Sequence, residues 1–128
     1  MTYPAHNLQA TYDAGDWEIV LDQLCGDELL LDSNRHDCAR TLAVSTKMNI
    51  NPPSPKLWRN YNYPPGQVSR YPGSYRINTK TAIRSTTAAP TFFTPVQWNG
   101  GLYCDGALVA NNPTAIAVQE AKVITCFI

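Results

Sequence analysis

Apolar positions along this chain fall into two rhythms, one helical and one alternating. From Ala14 to Cys25, Trp17, Val20, Leu21 and Leu24 recur at i, i+3, i+4 and i+7, the spacing of one helical stripe. Asp13 stands where an N-cap belongs and Gly26 where a helix C-terminal glycine belongs, so the pattern predicts a packing helix over 14–25. Leu29-Leu30-Leu31 is too short a run to separate helix from strand. Thr41 to Met48 alternates, with Leu42, Val44 and Thr46 on one side, and predicts a strand. Asn51-Pro52-Pro53-Ser54-Pro55 breaks it, and Leu57 to Tyr63 resumes as an aromatic-rich strand. Tyr63 to Gly73, interrupted by Pro and Gly, reads as a loop. A helix of small residues is expected from Asn78 or Thr79 to about Ala88, stopped by Pro90, with Phe92 and Phe93 adding core bulk. Leu102-Tyr103-Cys104 predicts a short strand. Thr114 to Ile124 holds no Gly or Pro and predicts a helix, capped by Asn112 with Pro113 at its first position.

This order of elements is that of an α/β fold. The 128 residues suffice for one small domain. Residues 1–11 read as an irregular segment and 12–128 as the structured part, with no internal repeat and no linker long enough to divide domains. The formal net charge of zero gives no electrostatic argument for nucleic acid or for an anionic membrane surface. No apolar run is long enough to span a bilayer, and the first residues lack the basic-then-apolar pattern of a secretion signal. Cys25, Cys38, Cys104 and Cys126 form no C-x-x-C pair, and His6 and His36 lack zinc-like spacing from them. Structural thiols in a reducing compartment, and no metal, are the expectation.

The chemistry concentrates in Gly100 to Pro113. Asp105 is one acidic residue among small and apolar neighbours, placed where a strand ends and a helix start follows. A carboxylate suits a buried strand poorly, so something should use it. Gly106 lets the backbone turn there. Other reactive residues have structural readings. Cys104 reads as a small buried strand residue. Ser45 lacks the Gly-flanked turn that exposes a nucleophilic hydroxyl. His36 and Asp37 sit in a charged, solvated loop. Tyr63 to Gly73 with Arg59 and Arg70 has the residue types of a stacking surface, but the neutral charge argues against nucleic acid. Exposed tyrosines there better suit an acyl chain or membrane interface. Arg84, the one charge in its segment, is open between an ion pair or surface site and a role in fixing the Asp105 loop.

Asp105-Gly106-Ala107 followed by Asn111-Asn112-Pro113 resembles the aspartate motif of the patatin-like acyl hydrolases. The stretch Ala82-Ile83-Arg84-Ser85-Thr86-Thr87-Ala88-Ala89-Pro90-Thr91-Phe92-Phe93 is similar to that family's Ala-Ile-Arg-Ala-Ser-Ser-Ala-Ala-Pro block. Arg59-Asn60-Tyr61, Tyr63-Pro64-Pro65-Gly66 and Tyr71-Pro72-Gly73 resemble the calcium-independent phospholipase A2 branch, nearest its gamma type.

The resemblance, from about Tyr12 to Lys122, implies a partial three-layer fold with a central, mostly parallel sheet between helices. It implies a Ser-Asp dyad without cofactor or metal. Asp105 is then the proton acceptor, and Gly106 and Ala107 complete its motif. A phospholipid or other acyl-ester lipid is the implied substrate, and an intracellular place with peripheral membrane contact is the implied setting.

None of the seven glycines begins a Gly-x-Ser-x-Gly pattern, and no glycine-rich oxyanion loop is present. In the family both lie upstream of the matching segment. The chain is therefore expected to be the C-terminal part of a patatin-like domain, cut at both ends, carrying the base without the serine and inactive alone. The alternatives are a non-catalytic binding or regulatory fragment of the same fold, with a full-length hydrolase as partner, and an unrelated α/β domain with a chance motif.

Overall fold

A computed structural model describes residues 10–125; most of the expected irregular segment, His6 and Cys126 lie outside them. The helices are α1 (Ala14–Cys25), α2 (Thr79–Thr86), α3 (Ala107–Ala110) and α4 (Thr114–Thr125). The strands are β1 (Leu42–Lys47), β2 (Ser54–Arg59), β3 (Gly73–Ser74), β4 (Val96–Trp98) and β5 (Gly101–Asp105). Leu30–Ser33 forms a 3-10 turn. Local chemistry sets the ends of α1 and the start of α4 as expected, while Asn78, at the N-cap of α2, makes no side-chain capping hydrogen bond. The Asp13 carboxylate accepts the Gly15 N–H at 2.8 Å, and Gly26, at φ 54°, donates its N–H to the Asp22 carbonyl. The Asn112 side chain accepts the Thr114 N–H at 3.1 Å.

The five strands form one sheet in the order β3-β2-β1-β5-β4. It is mostly antiparallel, which corrects the expectation of a mostly parallel sheet. β1 runs antiparallel to both β2 and β5, β4 is antiparallel to β5, and only β2 and β3 are parallel. The reason is the length of the connections. A parallel pair needs a crossover of a dozen or more residues. Here a short turn joins β1 to β2, and Asn99-Gly100 alone joins β4 to β5. Both of those residues have positive φ, 44° and 75°, the backbone of a tight hairpin turn.

Each face of the sheet carries helices, giving three layers. Against one face, α2 closes a core of Trp58, Ile77, Ala82 and Tyr103, with Leu30, Ala43 and Trp98 at its margin. Trp58 meets Trp98 and Tyr103 edge-on, at ring centroid distances of 5.2 and 5.1 Å. Against the other face, Val44, Leu57 and Ile116 of α4 pack with Leu42, Tyr71, Val109 and Ala110. Full burial of each large apolar side chain contributes about 1.5–3 kcal/mol, so two such clusters are what hold the sheet.

Two packing expectations change. Of the α1 stripe only Leu21 is buried, while Val20 and Leu24 face solvent, Leu24 at 77% exposure. Phe92 is also largely exposed and stacks on Tyr12 rather than filling the core. Neither position could be settled from spacing, because periodicity shows that residues share a face but not what covers it.

Candidate functional site

Asp105 ends β5, opposite Ser45 of β1. Two contacts fix its backbone and one its side chain. Its N–H donates to the Ala88 carbonyl at 3.0 Å, its carbonyl accepts the Thr46 hydroxyl at 2.8 Å, and its side-chain Oδ1 accepts the Ala107 N–H at 2.8 Å. The carboxylate is half-exposed, and no ion pair holds it among the described residues. It lines a small cavity of about 220 Å³ with Leu42, Val44, Thr86, Gly106, Ala107 and Asn111. A carboxylate at the lip of a cavity, with one oxygen held and the other without a hydrogen bond among the described residues, is placed to accept a proton from a group entering there.

The neighbouring blocks serve this placement. The small residues at the end of α2 let it press on the sheet, and Ala88 and Ser85 are fully buried. The Thr86 hydroxyl donates to the Val44 carbonyl at 2.5 Å. Gly106 packs on the same carbonyl, and a Cβ at Gly106 would overlap it. Its φ of −67° is ordinary, so close approach rather than turn geometry demands glycine. Gly106→Ala should push the end of β5 off β1 and lower stability by about 1–3 kcal/mol, the usual cost of overpacking. Thermal denaturation measures this; an unchanged melting temperature would show that the contact is dispensable.

Other candidates settle as structural. Ser45 is fully buried and accepts the Trp58 indole N–H at 2.8 Å. Cys104 is fully buried, and burial, helped by the Asp105 charge, pushes its thiol up to about 11, so it stays protonated at neutral pH. His36 and Asp37 are exposed, as a solvated loop requires. Arg84 is not at the surface. It is 5% exposed, bonds Glu18 of α1 at 3.3 Å and the Thr94 carbonyl at 2.9 Å, and so ties α1 and the 92–95 segment to α2.

The tyrosines of the 63–73 loop, Tyr63 and Tyr71, are half-buried, and Tyr61 just before the loop is the buried one. The Tyr61 hydroxyl donates to Glu120 at 3.0 Å. The Arg59 guanidinium lies 5.2 Å from the Tyr63 ring. Both belong to a buried hub that sequence reasoning missed. Arg59 bonds Glu120 through Nε at 2.7 Å and Nη2 at 3.1 Å, and Ser69 donates to Glu120 at 2.6 Å. The signal was present. Ile116, Glu120 and Ile124 recur every four residues and are all buried, so the acid stands on the apolar stripe of α4. Gly73 has no side chain because a Cβ there would overlap the Arg59 guanidinium.

Burial pushes the Glu120 carboxyl up, but hydrogen bonds from Arg59 and Ser69 and the Arg59 charge outweigh it, so the net direction is down. A depressed carboxyl adds stability in full above its unfolded value of 4.5, and that stability is lost as pH falls through the folded value. Acidification below that value should therefore lower the melting temperature, and less so in Glu120→Gln. Equal slopes in the two proteins would remove this hub from the acid response.

Residues 2–118 match the family model described as patatin-like phospholipase. The chain belongs to the patatin-like phospholipase family, which removes the reading of a chance motif on an unrelated domain. Among curated relatives, it is 36% identical over 115 residues to "Calcium-independent phospholipase A2-gamma" of Homo sapiens, covering 88% of this chain and 15% of that protein. It is 28% identical over 145 residues to "Phospholipase A I" of Arabidopsis thaliana, covering 88% of this chain and 11% of the relative. For "85/88 kDa calcium-independent phospholipase A2" of Mus musculus the identity is 31% over 121 residues, with 85% and 14% coverage. The chain thus spans about 15% of the length of the first of these relatives. No solved structure matches it significantly. Among the described residues, no helix is long and apolar enough to cross a membrane.

Proposed function

We propose that this chain is the aspartate-bearing, C-terminal part of a patatin-like lipid acyl hydrolase, in which Asp105 is the proton acceptor of a Ser-Asp dyad. The observation that carries the reading is the free carboxylate oxygen of Asp105 beside a cavity, with the backbone fixed at two points and the other oxygen held by the Ala107 N–H. The substrate is a phospholipid or related acyl ester. The serine, supplied by a Gly-x-Ser-x-Gly segment outside these 128 residues, attacks the ester carbonyl. Its proton passes to Asp105 as the acyl–serine bond forms, and Asp105 returns that proton to the leaving alcohol. Rigid placement at the strand end supplies the orientation such a transfer needs. Gly106 and Ala107 complete the motif: the first permits the close approach to β1, and the second presents the N–H that holds Oδ1.

The purified chain is expected neither to hydrolyse esters above background nor to be labelled by a fluorophosphonate probe. A polypeptide that joins it to a serine-bearing segment is expected to do both. Labelling of the chain alone at a stoichiometric site would overturn the assignment of its nucleophile to another segment. The absence of any Gly-x-Ser-x-Gly pattern supports a second reading, a non-catalytic binding or regulatory product that pairs with a full-length hydrolase. Under that reading the joined polypeptide stays inert and the chain captures the hydrolase in a pull-down.

A further inference from the structure

We propose that Lys47 and Lys56, backed by the Trp58–Trp98 indole pair, form a docking patch for the phosphate oxyanions of phospholipid headgroups at a membrane surface. The two lysines stand on the α2-bearing face of adjacent strands. Lys56 lies opposite Ser45, so Lys47 is its diagonal neighbour, at the roughly 7–8 Å usual for such pairs. The Lys56 ammonium sits 5.5 Å from the Trp58 ring centroid and 5.7 Å from that of Trp98. Among the described residues the ion pairs all lie elsewhere, so neither lysine here has a directly bonded carboxylate.

Such a pair is unfavourable until an anion arrives. Burial pushes the Lys56 ammonium down, and the charges of Lys47 and Arg59 push it further in the same direction. An oxyanion between the lysines relieves that repulsion. The surroundings favour an anion borne by a lipid over one free in water. Trp98 is half-buried beside the patch, and indole rings are favoured where an apolar phase meets water. The β1–β2 turn leaves from Lys47 and exposes Ile50. Asn49 bonds the Gly100 carbonyl at 3.0 Å and the Leu102 N–H at 3.2 Å, which sets that turn beside the β4–β5 hairpin. Basic, aromatic and aliphatic side chains thus meet at one end of the sheet. Trp98 pairs with Gly101, four positions before Asp105 and so roughly 13 Å along the strand from it, whereas Lys47 pairs with Tyr103, two positions before Asp105, which makes the patch adjacent to that carboxylate. The choice of phospholipid rests on the function proposed above.

The test is co-sedimentation of the full 128-residue chain with phosphatidylcholine vesicles containing about one-fifth phosphatidic acid, alongside indole fluorescence. Binding is expected, with a blue shift in emission. Lys47→Gln and Lys56→Gln should each weaken it by about five-fold, the usual worth of one basic residue near an anionic surface, and together by about 25-fold. Replacing both by Arg should retain binding, and because vesicle binding is read without any turnover its outcome is independent of the catalytic proposal. Circular dichroism checks that the Gln variants fold. Failure of the parent to bind, or equal binding by the folded double Gln variant, would overturn the proposal. So would an indole response to inorganic phosphate at millimolar concentration with none to vesicles, which would mark a free-anion site instead.

Discussion

Asp105→Asn, introduced into the polypeptide that unites this chain with a nucleophilic serine, is expected to lower ester hydrolysis by on the order of 10²–10⁴-fold, the usual contribution of a positioned base. The amide is nearly isosteric with the carboxylate. Its oxygen can still accept the Ala107 N–H, and the backbone contacts to Ala88 and Thr46 do not involve the side chain at all. What is lost is the ability to take a proton, because an amide is not basic at neutral pH. The loss should fall on kcat, with KM and the melting temperature little changed. Full activity in this variant would exclude the base role. A parallel collapse of the melting temperature would instead show that the carboxylate is structural.

Glu120→Gln carries the largest expected effect on stability. The side chain is 2% exposed and receives two hydrogen bonds from Arg59, one from Tyr61 and one from Ser69. Glutamine keeps the volume but leaves the buried Arg59 guanidinium without a counter-charge, and places an amide N–H₂ where four donors converge. Breaking one partner of a buried ion pair costs about 3–5 kcal/mol. That is a large share of the 5–15 kcal/mol that holds a typical domain. Denaturant titration should show a markedly lower midpoint. Replacing both partners by apolar residues, Arg59→Met with Glu120→Leu, should recover much of the loss, since no charge is then stranded. A single-variant loss below about 1 kcal/mol would show that the hub does not secure α4 to β2.

The consequence for the site runs through the chain. Asp105 leads directly into α3 and α4, and α4 is anchored by Glu120 and Ile116 to β2 and β1. Loosening that anchor frees the helix that follows the Asp105-Gly106-Ala107 motif. Arg59 therefore acts at a distance from Asp105, by holding the element that comes after it.

Several features were legible because they are local. A cap at Asp13, a C-terminal glycine at Gly26 and an Asn112 cap each depend on residues within a few positions. The strand entering Asp105 and the helix after it follow from the same short-range chemistry. Asn99-Gly100 between two apolar runs was also readable as a tight hairpin, and would have argued against a mostly parallel sheet. The inference to parallel strands was carried instead from the expected architecture of the family.

The linear sequence by itself determined the family motif, the strand and helix around Asp105, and the capping of α1 and α4, since propensity and capping act over one or two turns of chain. Tertiary structure alone decided that Arg59 meets Glu120 across 61 positions, that Tyr61 turns inward, and that Leu24 stays in solvent. It also gathered Lys47, Lys56 and two tryptophans at one end of the sheet. The physical reason is that burial and charge pairing depend on which surfaces meet, and the strand register and the packing of helices across the sheet fix those meetings.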